Sequence, residues 1–414
     1  MSWSRACRGS WSRVTPDQPT VSDGGTELDL GRWVSGGACI AHAEGKTWFV
    51  RFGIPGERVR VVVTRRARGV VYADVTSVIS PSPARTDPAC RSFGPGLCGG
   101  CDLQHVSLEE QRRSKRDVVV DCLTRLGGMR LDHLKKCVTE TTSIPGDAGG
   151  LGWRTRMTAL RTVGGIGMHR ARSHEVVEVT ECPITDNRVL PSVMRDVRPG
   201  EEFRAAIGSD GIVRVEAQGG SARVREAVTT LVGTESWSLP VGAFWQVHGG
   251  FAQYLGDTVV GLAGSVTGET WWDLYAGAGL LTAFLADAGA SRVVSVESDG
   301  RACSAARRTF HNRPDVVLHH AEVAAWLADQ AQPPHGVVVD PPRSGCGPEV
   351  TRQLMSLPVP RIIYVACDPA ALARDVRILR SGGYEVQRVV PIDAFPMTHH
   401  VETVALLAFT HRLS

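Results

Sequence analysis

The chain has 414 residues, of which 43% are hydrophobic and 21% are charged, enough for two or three domains with buried cores. No apolar run reaches the roughly 18 residues that a membrane-spanning helix needs, and a net charge of +3 does not indicate nucleic-acid binding unless basic residues cluster locally. Eleven cysteines in a chain without a recognisable secretory signal argue against a disulfide framework and predict a cytoplasmic protein.

The N-terminal part of the chain predicts a small β-barrel behind a disordered tail at 1–22. Residues 23–82 alternate short β-branched runs, at 47–52, 57–64 and 70–79, with glycine and proline. The glycine pattern, with Gly36-Gly37-Ala38, Gly45-Lys46 and Pro55-Gly56, resembles the TRAM domain, an oligonucleotide-binding barrel of RNA-modifying enzymes. An unrelated SH3-like or OB-like barrel is the alternative.

Basic residues cluster at two places that could contact RNA. Solvated surface charges look the same in a sequence, so both interpretations stay open. The first cluster comprises Arg58, Arg60, Arg65, Arg66 and Arg68, and the second comprises Arg112, Arg113, Lys115 and Arg116.

Residues 83–240 are predicted to form a mixed central RNA-binding domain. A Pro81-Ser82-Pro83 linker leads into a cysteine-rich stretch, and Ser107 with Glu110 forms a capping box that predicts the start of a basic helix. Segments with the alternation of β-strands and with interleaved arginines follow, at 153–156, 160–161 and 168–170. Such alternation puts arginines on one face of a sheet, where they would contact either RNA or solvent.

Residues 241–414 predict a doubly wound α/β domain of the Rossmann-like kind. Seven predicted strands alternate with helical segments, which is typical of this fold class. The strands are expected at 270–274, 293–296, 316–318, 336–339, 361–365, 385–392 and 403–409.

The ends of these strands predict a cofactor site. Ligands of open α/β sheets bind beyond the carboxyl ends of the strands. A dinucleotide is the natural competitor, but the third glycine of its fingerprint is missing, and an acidic residue near the turn suits the cationic methionine end of S-adenosylmethionine (SAM) better than a pyrophosphate. The residues at these ends are Asp273, Gly277 and Gly279, then Glu297, Glu322 and Asp340.

Two residues at the same edge of the sheet point to covalent chemistry on a pyrimidine. Cys367 follows the fifth predicted strand, and Glu402 directly precedes the last. A thiolate that adds to C6 of uracil activates C5 toward a methyl donor, and a base must then remove the C5 proton. A structural cysteine and a surface carboxylate are the alternatives when each residue is considered alone. Where amino-methyltransferases place an aromatic, the turn after Asp340-Pro341-Pro342 has Arg343, so methylation of a base amine is less favoured.

These motifs together resemble the RNA uridine-5-methyltransferase family. The segments that carry the resemblance are 244–248, 273–279, 340–345, 367–369 and 395–402. The resemblance implies that Cys367 is the nucleophile and Glu402 the base, and that SAM is contacted by Gln246, Tyr275, Glu297, Glu322 and Asp340. The chain departs from the family pattern at Asp368, Leu280 and His248, which puts cofactor affinity in doubt but removes neither catalytic group.

Four cysteines suggest a metal site. Cys90, Cys98, Cys101 and Cys182 provide four thiolates, the number that suits an iron–sulfur cluster or zinc. Resemblance to the cluster-containing members of the family favours [4Fe–4S], although the gap between the first two cysteines is longer than the family pattern. Zinc and free thiols are the alternatives.

The predicted protein is a monomeric cytoplasmic enzyme that methylates a uridine in folded RNA. The barrel and the four cysteines resemble the ribosomal branch, which favours 23S rRNA, whereas 340–345 and 398–400 resemble the tRNA T-loop enzyme. A non-catalytic RNA-binding or iron–sulfur protein is the competitor from another class.

Overall fold

The N-terminal barrel is a six-stranded sheet in a computed structural model that describes residues 25–147, 149–217 and 219–410. The predicted tail at 1–22 lies outside the described residues. The strand order is β1-β5-β6-β4-β3-β2, and the chain after β1 also bonds to β3, since Gly31 N donates to Ile40 O at 2.7 Å. The strands are β1 (Thr26–Asp29), β2 (Trp33–Val34), β3 (Ala38–Ala43), β4 (Lys46–Arg51), β5 (Arg58–Ala67) and β6 (Val70–Ser80).

Two helices and a short strand follow the barrel: α1 (Leu108–Arg125), α2 (Leu131–Cys137) and β7 (Thr142–Ser143). The predicted N-cap is confirmed at the start of α1, where Ser107 Oγ accepts the Glu110 N–H. The reciprocal half of the capping box is not formed, because Ser107 N donates to Ala84 O and Glu110 Oε1 accepts from Trp33 Nε1. Both helices contribute to the core beneath the C-terminal sheet. The predicted boundary at residue 240, between the central and the C-terminal domain, stays a proposal. Helices α1 and α2 precede that boundary in the chain but pack on the C-terminal domain.

The second basic cluster has a structural role. Lys115 is fully buried, with Nζ 2.5 Å from Asp393 Oδ1. Arg112 also pairs with Asp393, and Arg116 with Glu140. Lys115 is therefore no RNA contact, and Arg112 and Arg116 are already paired with carboxylates.

The middle of the chain forms a five-stranded antiparallel sheet and a separate hairpin. The sheet order is β10-β9-β8-β11-β12, and β13 pairs only with β14 among the described strands. The elements are β8 (Arg156–Arg161), β9 (Ile166–His169), β10 (Val176–Val179), α3 (Val189–Asp196), β11 (Glu202–Ile207), β12 (Val213–Ala217), β13 (Arg223–Thr229) and β14 (Thr234–Pro240).

The arginines of this sheet do not form the single exposed face that alternation predicted. Arg156 is buried in an ion pair with Glu226. Arg161 is also buried and donates to two backbone carbonyls. The expectation of RNA contact was wrong for these two residues, because a guanidinium can be buried when carboxylate or carbonyl oxygens satisfy its donors.

The C-terminal region confirms the predicted doubly wound fold. Its sheet has the order β17-β16-β15-β18-β19-β21-β20-β7, with β21 antiparallel to both neighbours and the first five strands parallel. All seven predicted strands are present, within two residues of the expected bounds. The elements are α4 (Phe251–Ala263), β15 (Thr270–Leu274), α5 (Leu280–Asp287), β16 (Arg292–Glu297), α6 (Gly300–Thr309), β17 (Val316–His320), α7 (Val323–Ala328), β18 (Gly336–Val339), α8 (Gly347–Ser356), β19 (Arg361–Ala366), α9 (Pro369–Ser381), β20 (Tyr384–Asp393) and β21 (Glu402–Phe409).

No helix in the described part of the chain is long and apolar enough to cross a membrane.

Candidate active site and cysteine pocket

The carboxyl ends of the five parallel strands lie along one edge of the sheet, where a ligand crevice forms in such folds. Asp273 lies near the end of β15 and Glu297 ends β16. Asp340 and Cys367 come directly after β18 and β19. Four of the predicted site residues therefore share one edge because consecutive parallel strands deliver them there.

The turn after β15 has the backbone conformation that its glycines allow. Gly277 and Gly279 have φ of 57° and 88°, and Tyr275 also lies in the left-handed region at 64°. Glu297 Oε2 accepts the Gly277 N–H at 2.8 Å, so the carboxylate at the end of β16 fixes this turn. A Cβ added to Gly279 would lie 2.4 Å from Phe310, which explains why a larger residue does not fit.

The β13–β14 hairpin brings the predicted glutamine to this turn. Trp237 on β14 donates through Nε1 to Ala278 O at 2.8 Å, and its ring lies 5.0 Å from that of Trp245. Gln246 follows Trp245 directly and is partly exposed. On the other side of the turn, burial raises the pKa of Tyr275, and the charge of the exposed Glu322 contributes to the rise.

Two carboxyl groups at the turn, the buried Asp273 and the partly buried Asp340, fit a cationic ligand. Burial raises the pKa of Asp273 to about 7, and burial followed by the charges of Asp273 and Glu297 raises the pKa of Asp340 to about 7. Asp273 Oδ2 accepts from Thr282 Oγ1 at 2.6 Å, but its buried Oδ1 has no hydrogen-bond partner among the described residues. Unpartnered buried oxygens are rare and call for a ligand. The sulfonium and ammonium groups of SAM would supply the missing positive charge.

Sheet register brings Cys367 and Glu402 to facing positions. The antiparallel register of β19 and β21 ends at the pair Ala366 and Thr403. Continued by one residue, it sets Cys367, directly after β19, opposite Glu402, the first residue of β21. Cys367 is partly exposed, whereas Glu402 is 7% exposed. Burial raises the pKa of the Glu402 carboxyl to about 8, with Asp340 adding to the rise. Burial, Glu402 and Asp340 together raise the pKa of the Cys367 thiol to about 12.

Arg343 is the cation that opposes these shifts. Its charge lowers the pKa values of both Cys367 and Glu402. The loop that carries Arg343 is anchored by Asp375 on α9, whose Oδ2 accepts from Tyr364 Oη at 2.6 Å and from Cys346 N at 2.7 Å. In the sequence, Arg343 was used only to show that the turn lacks the aromatic residue of amino-methyltransferases. Its effect on the pKa values of Cys367 and Glu402 was missed.

The loop leading to Glu402, residues 394–401, is held by Asp102 and by two residues of α1, all outside the C-terminal region. Asp102 Oδ2 lies 2.6 Å from His399 Nδ1, and the Asp102 N–H donates to Met397 O at 3.0 Å. Gln111 Oε1 accepts the Met397 N–H at 2.8 Å, and Lys115 Nζ donates to Phe395 O at 2.9 Å. Sequence reasoning missed these contacts, which join positions almost 300 residues apart. The only available signal was that Asp102 directly follows Cys101.

The four predicted metal-site cysteines line one small pocket, together with the apolar side chains of Phe93, Met168, Val179 and Ile184. Three of the sulfurs accept hydrogen bonds: Cys98 from Gly100 N at 3.4 Å, Cys101 from Gln104 Nε2 at 3.3 Å, and Cys182 from Thr185 Oγ1 at 3.2 Å. In the described ranges, however, no three His, Cys, Asp or Glu side chains are arranged to hold a metal ion. The sequence correctly grouped these cysteines in space, and the nature of what they bind stays a prediction.

Comparison with known proteins covers both ends of the chain. A model of the tRNA (uracil-5-)-methyltransferase family matches residues 330–410, and a model of the TRAM domain matches residues 27–76. The second match confirms the TRAM interpretation of the barrel.

Relatives match almost the full length. An uncharacterized RNA methyltransferase of Streptomyces avermitilis is 35% identical, over 92% of this chain and 97% of its own. One from Bifidobacterium longum is 33% identical, over 95% of this chain and 98% of its own.

A solved structure shares the fold. The tRNA (uracil-54, C5)-methyltransferase of Pyrococcus abyssi, crystallised with S-adenosyl-L-homocysteine, is 22% identical and superposes with a TM-score of 0.69, covering 92% of this chain and 100% of that one. This likeness shows the fold, and the relatives together with the family model make the chain a member of the SAM-dependent RNA uracil-5-methyltransferase family.

Proposed function

We propose that this protein methylates C5 of one uridine in structured RNA through a covalent intermediate on Cys367. The observation that carries the proposal is the facing pair Cys367 and Glu402, with Asp340 and Arg343 within electrostatic reach of both. Two groups that must act on opposite sides of one pyrimidine are thus held by adjacent strands of a rigid sheet.

The chemistry follows from these positions. The Cys367 sulfur forms a bond to C6 of the uracil, and the electron pair of the C5–C6 bond moves to C5 as an enolate. C5 then takes the methyl group of SAM, which leaves as S-adenosylhomocysteine. Glu402 removes the C5 proton, and the pair of electrons from that C–H bond re-forms the C5–C6 double bond and expels the Cys367 thiolate.

The raised pKa values suit this sequence of steps. A raised pKa of about 8 makes the Glu402 carboxylate, once ionised, a stronger base than the carboxylate of an exposed glutamate. The Cys367 thiol, whose pKa lies near 12, ionises with difficulty at neutral pH. The positive charge of Arg343 lowers this pKa and so favours the thiolate. Arg343 therefore stabilises the thiolate both when it attacks and when it leaves.

A suicide substrate tests the covalent step. RNA with 5-fluorouridine has no removable proton at C5, so after methyl transfer the adduct cannot collapse. Wild-type protein with SAM should give a denaturant-resistant RNA–protein complex, and Cys367→Ala should give none. A complex of equal yield in Cys367→Ala would refute the mechanism. A protein that methylates without forming any complex would be acting on a base amine, and one that binds RNA without transferring methyl would be the non-catalytic alternative.

We propose 23S rRNA as the substrate, on the resemblance of the barrel and cysteines to the ribosomal branch. The tRNA T-loop is the second candidate, supported by the Pyrococcus abyssi fold likeness, which extends over the barrel as well. Mass spectrometry of nucleosides from separated rRNA and tRNA of a deletion strain decides between them. Loss of 5-methyluridine from 23S rRNA alone supports the proposal, and loss from tRNA alone overturns it.

We propose that the cysteine pocket binds a [4Fe–4S] cluster through Cys90, Cys98, Cys101 and Cys182. The support is that four thiols share one apolar pocket and three accept hydrogen bonds, as thiolates around such clusters do. Because methyl transfer moves no electron, the cluster would serve structure.

Metal and sulfide analysis tests the pocket. Anaerobically purified protein should contain about four iron and four sulfide per chain. Zinc at one per chain, or no metal with four alkylatable thiols, would contradict the cluster. We further propose that the enzyme acts as a monomer in the cytoplasm.

A further inference from the structure

The outer surface of the barrel carries a row of side chains that no step of the methylation uses. Register across four strands pairs Ile40 on β3 with Phe49 on β4, Phe49 with Tyr72 on β6, and Tyr72 with Arg65 on β5. The strand neighbours of Phe49 and Tyr72 face the barrel core. They are Trp48, Val50, Val71 and Ala73, all nearly inaccessible to solvent. Strand alternation therefore turns the row outward.

The two aromatic rings of the row lie side by side and are only partly buried. The ring centroids of Phe49 and Tyr72 are 5.6 Å apart, with planes inclined by 32°. An aromatic pair on an outer barrel face leaves apolar ring surface in contact with solvent, where it can accept a planar ligand.

Two guanidinium groups approach Tyr72 from different parts of the molecule. The Cζ atom of Arg65 lies 4.1 Å from the ring centroid, and that of Arg172 lies at 5.8 Å. Arg172 belongs to the connection between β9 and β10, so barrel and central sheet meet at this ring. Its φ of 57° is unusual for a residue other than glycine, and such conformations are concentrated at functional positions.

Neither guanidinium is used in an ion pair of the described residues. Arg65 has no carboxylate partner there, and Arg172 has only a longer-range attraction to Asp74. By contrast, Arg58 and Arg60 of the same basic cluster both pair with Glu27. The charge at Tyr72 is therefore available to an external anion.

This surface adjoins the loop that leads to Glu402. The turn Gly36–Gly37 lies between them: a Cβ on Gly36 would be 3.8 Å from Arg172 Nη2, and one on Gly37 would be 3.0 Å from the Cβ of His399. Both glycines have positive φ, which lets the backbone pass through this narrow space. The Gly36–Gly37 turn therefore separates Arg172, which lies beside the row, from the loop that leads to Glu402, the proposed base.

We infer that Tyr72, Phe49, Arg65 and Arg172 form a stacking subsite for an unpaired nucleotide that flanks the target uridine. A base would extend the stack on the Arg65–Tyr72 pair, and Arg172 would contact the adjoining phosphate. Stacking platforms with arginine accept single-stranded RNA of any sequence, since every base has a π-face. The inference rests on the proposed function and adds that the target uridine lies in single-stranded RNA whose neighbour is also splayed out.

Binding of labelled RNA to single variants tests the subsite. The probe is a fluorescent oligouridine of about twelve nucleotides, within the usual range of single-strand sites. Tyr72→Ala should raise its Kd by about 5- to 100-fold, the loss of one stacked base. Tyr72→Phe should stay within about twofold of wild type, because the ring persists. Arg65→Ala and Arg172→Ala should weaken binding and lower its salt dependence.

The control variant is Arg58→Ala, which removes an exposed arginine of the same cluster that is already paired with Glu27. Its oligouridine Kd should not change. SAM affinity should be unchanged in all variants, and this result would show that they are folded. If Tyr72→Ala does not fold, the oligouridine Kd of Arg65→Ala tests the subsite instead.

Equal Kd values for wild type and Tyr72→Ala, or equal losses in Arg58→Ala, would overturn the subsite. A failed fluorouridine adduct together with weakened binding in Tyr72→Ala would instead refute the proposed chemistry and leave the subsite standing.

Discussion

The chain has cysteines in two different surroundings, at Cys367 and in the cysteine pocket. Cys367 stands alone at a strand end, where burial, Glu402 and Asp340 raise its pKa and Arg343 lowers it. The pocket cysteines stand together, and three of their sulfurs accept hydrogen bonds from neighbouring N–H or O–H groups. Neighbours thus distinguish a thiol suited to attack and leave from thiols suited to hold a group permanently.

The two regions are nevertheless physically connected. Asp102, next to Cys101, contacts His399 and Met397 in the loop that leads to Glu402. We therefore expect substitutions in or next to the pocket to reduce the rate of methyl transfer only partly. Substitutions of Cys367 or Glu402 should block a chemical step.

The largest effect is expected for Cys367→Ala. Without a nucleophile, C5 of uracil is not activated, and methyl transfer should fall at least about 1,000-fold while SAM affinity persists. Transfer of labelled methyl groups to RNA measures the loss. Cys137→Ala, which removes a buried thiol on α2, should stay within a few-fold of wild type. Comparable activity in Cys367→Ala would abolish the distinction between the two kinds of cysteine.

Glu402→Gln should block turnover at a different step. The glutamine cannot take the C5 proton, so product formation should fall by about 100- to 10,000-fold and a methylated RNA adduct should accumulate on ordinary uridine RNA. Gel shifts under denaturing conditions detect the adduct. The matched variant Glu385→Gln changes an exposed glutamate on β20 and should turn over normally. Release of product without an adduct in Glu402→Gln would assign proton removal to another group.

Cys101→Ser should separate structure from chemistry. Loss of one of four thiolates should deplete iron and lower the thermal midpoint by several degrees, since a lost structural group costs about 2 kcal/mol or more. The folded fraction should still form the fluorouridine adduct. Cys122→Ala, a buried thiol on α1 outside both sets, should keep its iron. Full iron content in Cys101→Ser would remove this residue from the ligand set.

Asp102→Ala should have a smaller effect. Removing the carboxylate frees His399 and loosens the loop, so we expect kcat to fall about tenfold with the Kd for SAM unchanged, as small misplacements do. Asp87→Ala, an exposed aspartate on the same segment, serves as the control. A kcat equal to that of wild type would show that the loop keeps its position without Asp102.

The smallest effect concerns pH. Burial raises the pKa values of Asp273 and Asp340 to about 7, so these groups stabilise the fold at acidic pH, and that contribution is lost as pH rises through about 7. A cation favours their ionised forms, so the Kd for SAM should fall up to about tenfold between about pH 6 and 8. Calorimetry should show proton release on binding at about pH 6. A pH-independent Kd would mean that neither carboxyl changes its ionisation when SAM binds.

The predictability of the molecule differs between these regions for physical reasons. The strands of the C-terminal sheet are continuous β-branched runs, such as Val337, Val338 and Val339 of β18, and their ends follow from the chain order. The positions of Arg343, Asp102 and Lys115 could not be assigned, because their partners are distant in sequence and only tertiary packing brings them close. Arg156 was misjudged because alternation does not reveal that Glu226 lies opposite.

Peptide mapping of the fluorouridine adduct is the most direct test of the account. Digestion of the RNA–protein complex and tandem mass spectrometry identify the cysteine that carries the nucleotide. The modified peptide should contain Cys367, and Cys90, Cys98, Cys101 and Cys182 should be unmodified. A nucleotide attached to any of the pocket cysteines, with Cys367 free, would contradict the account.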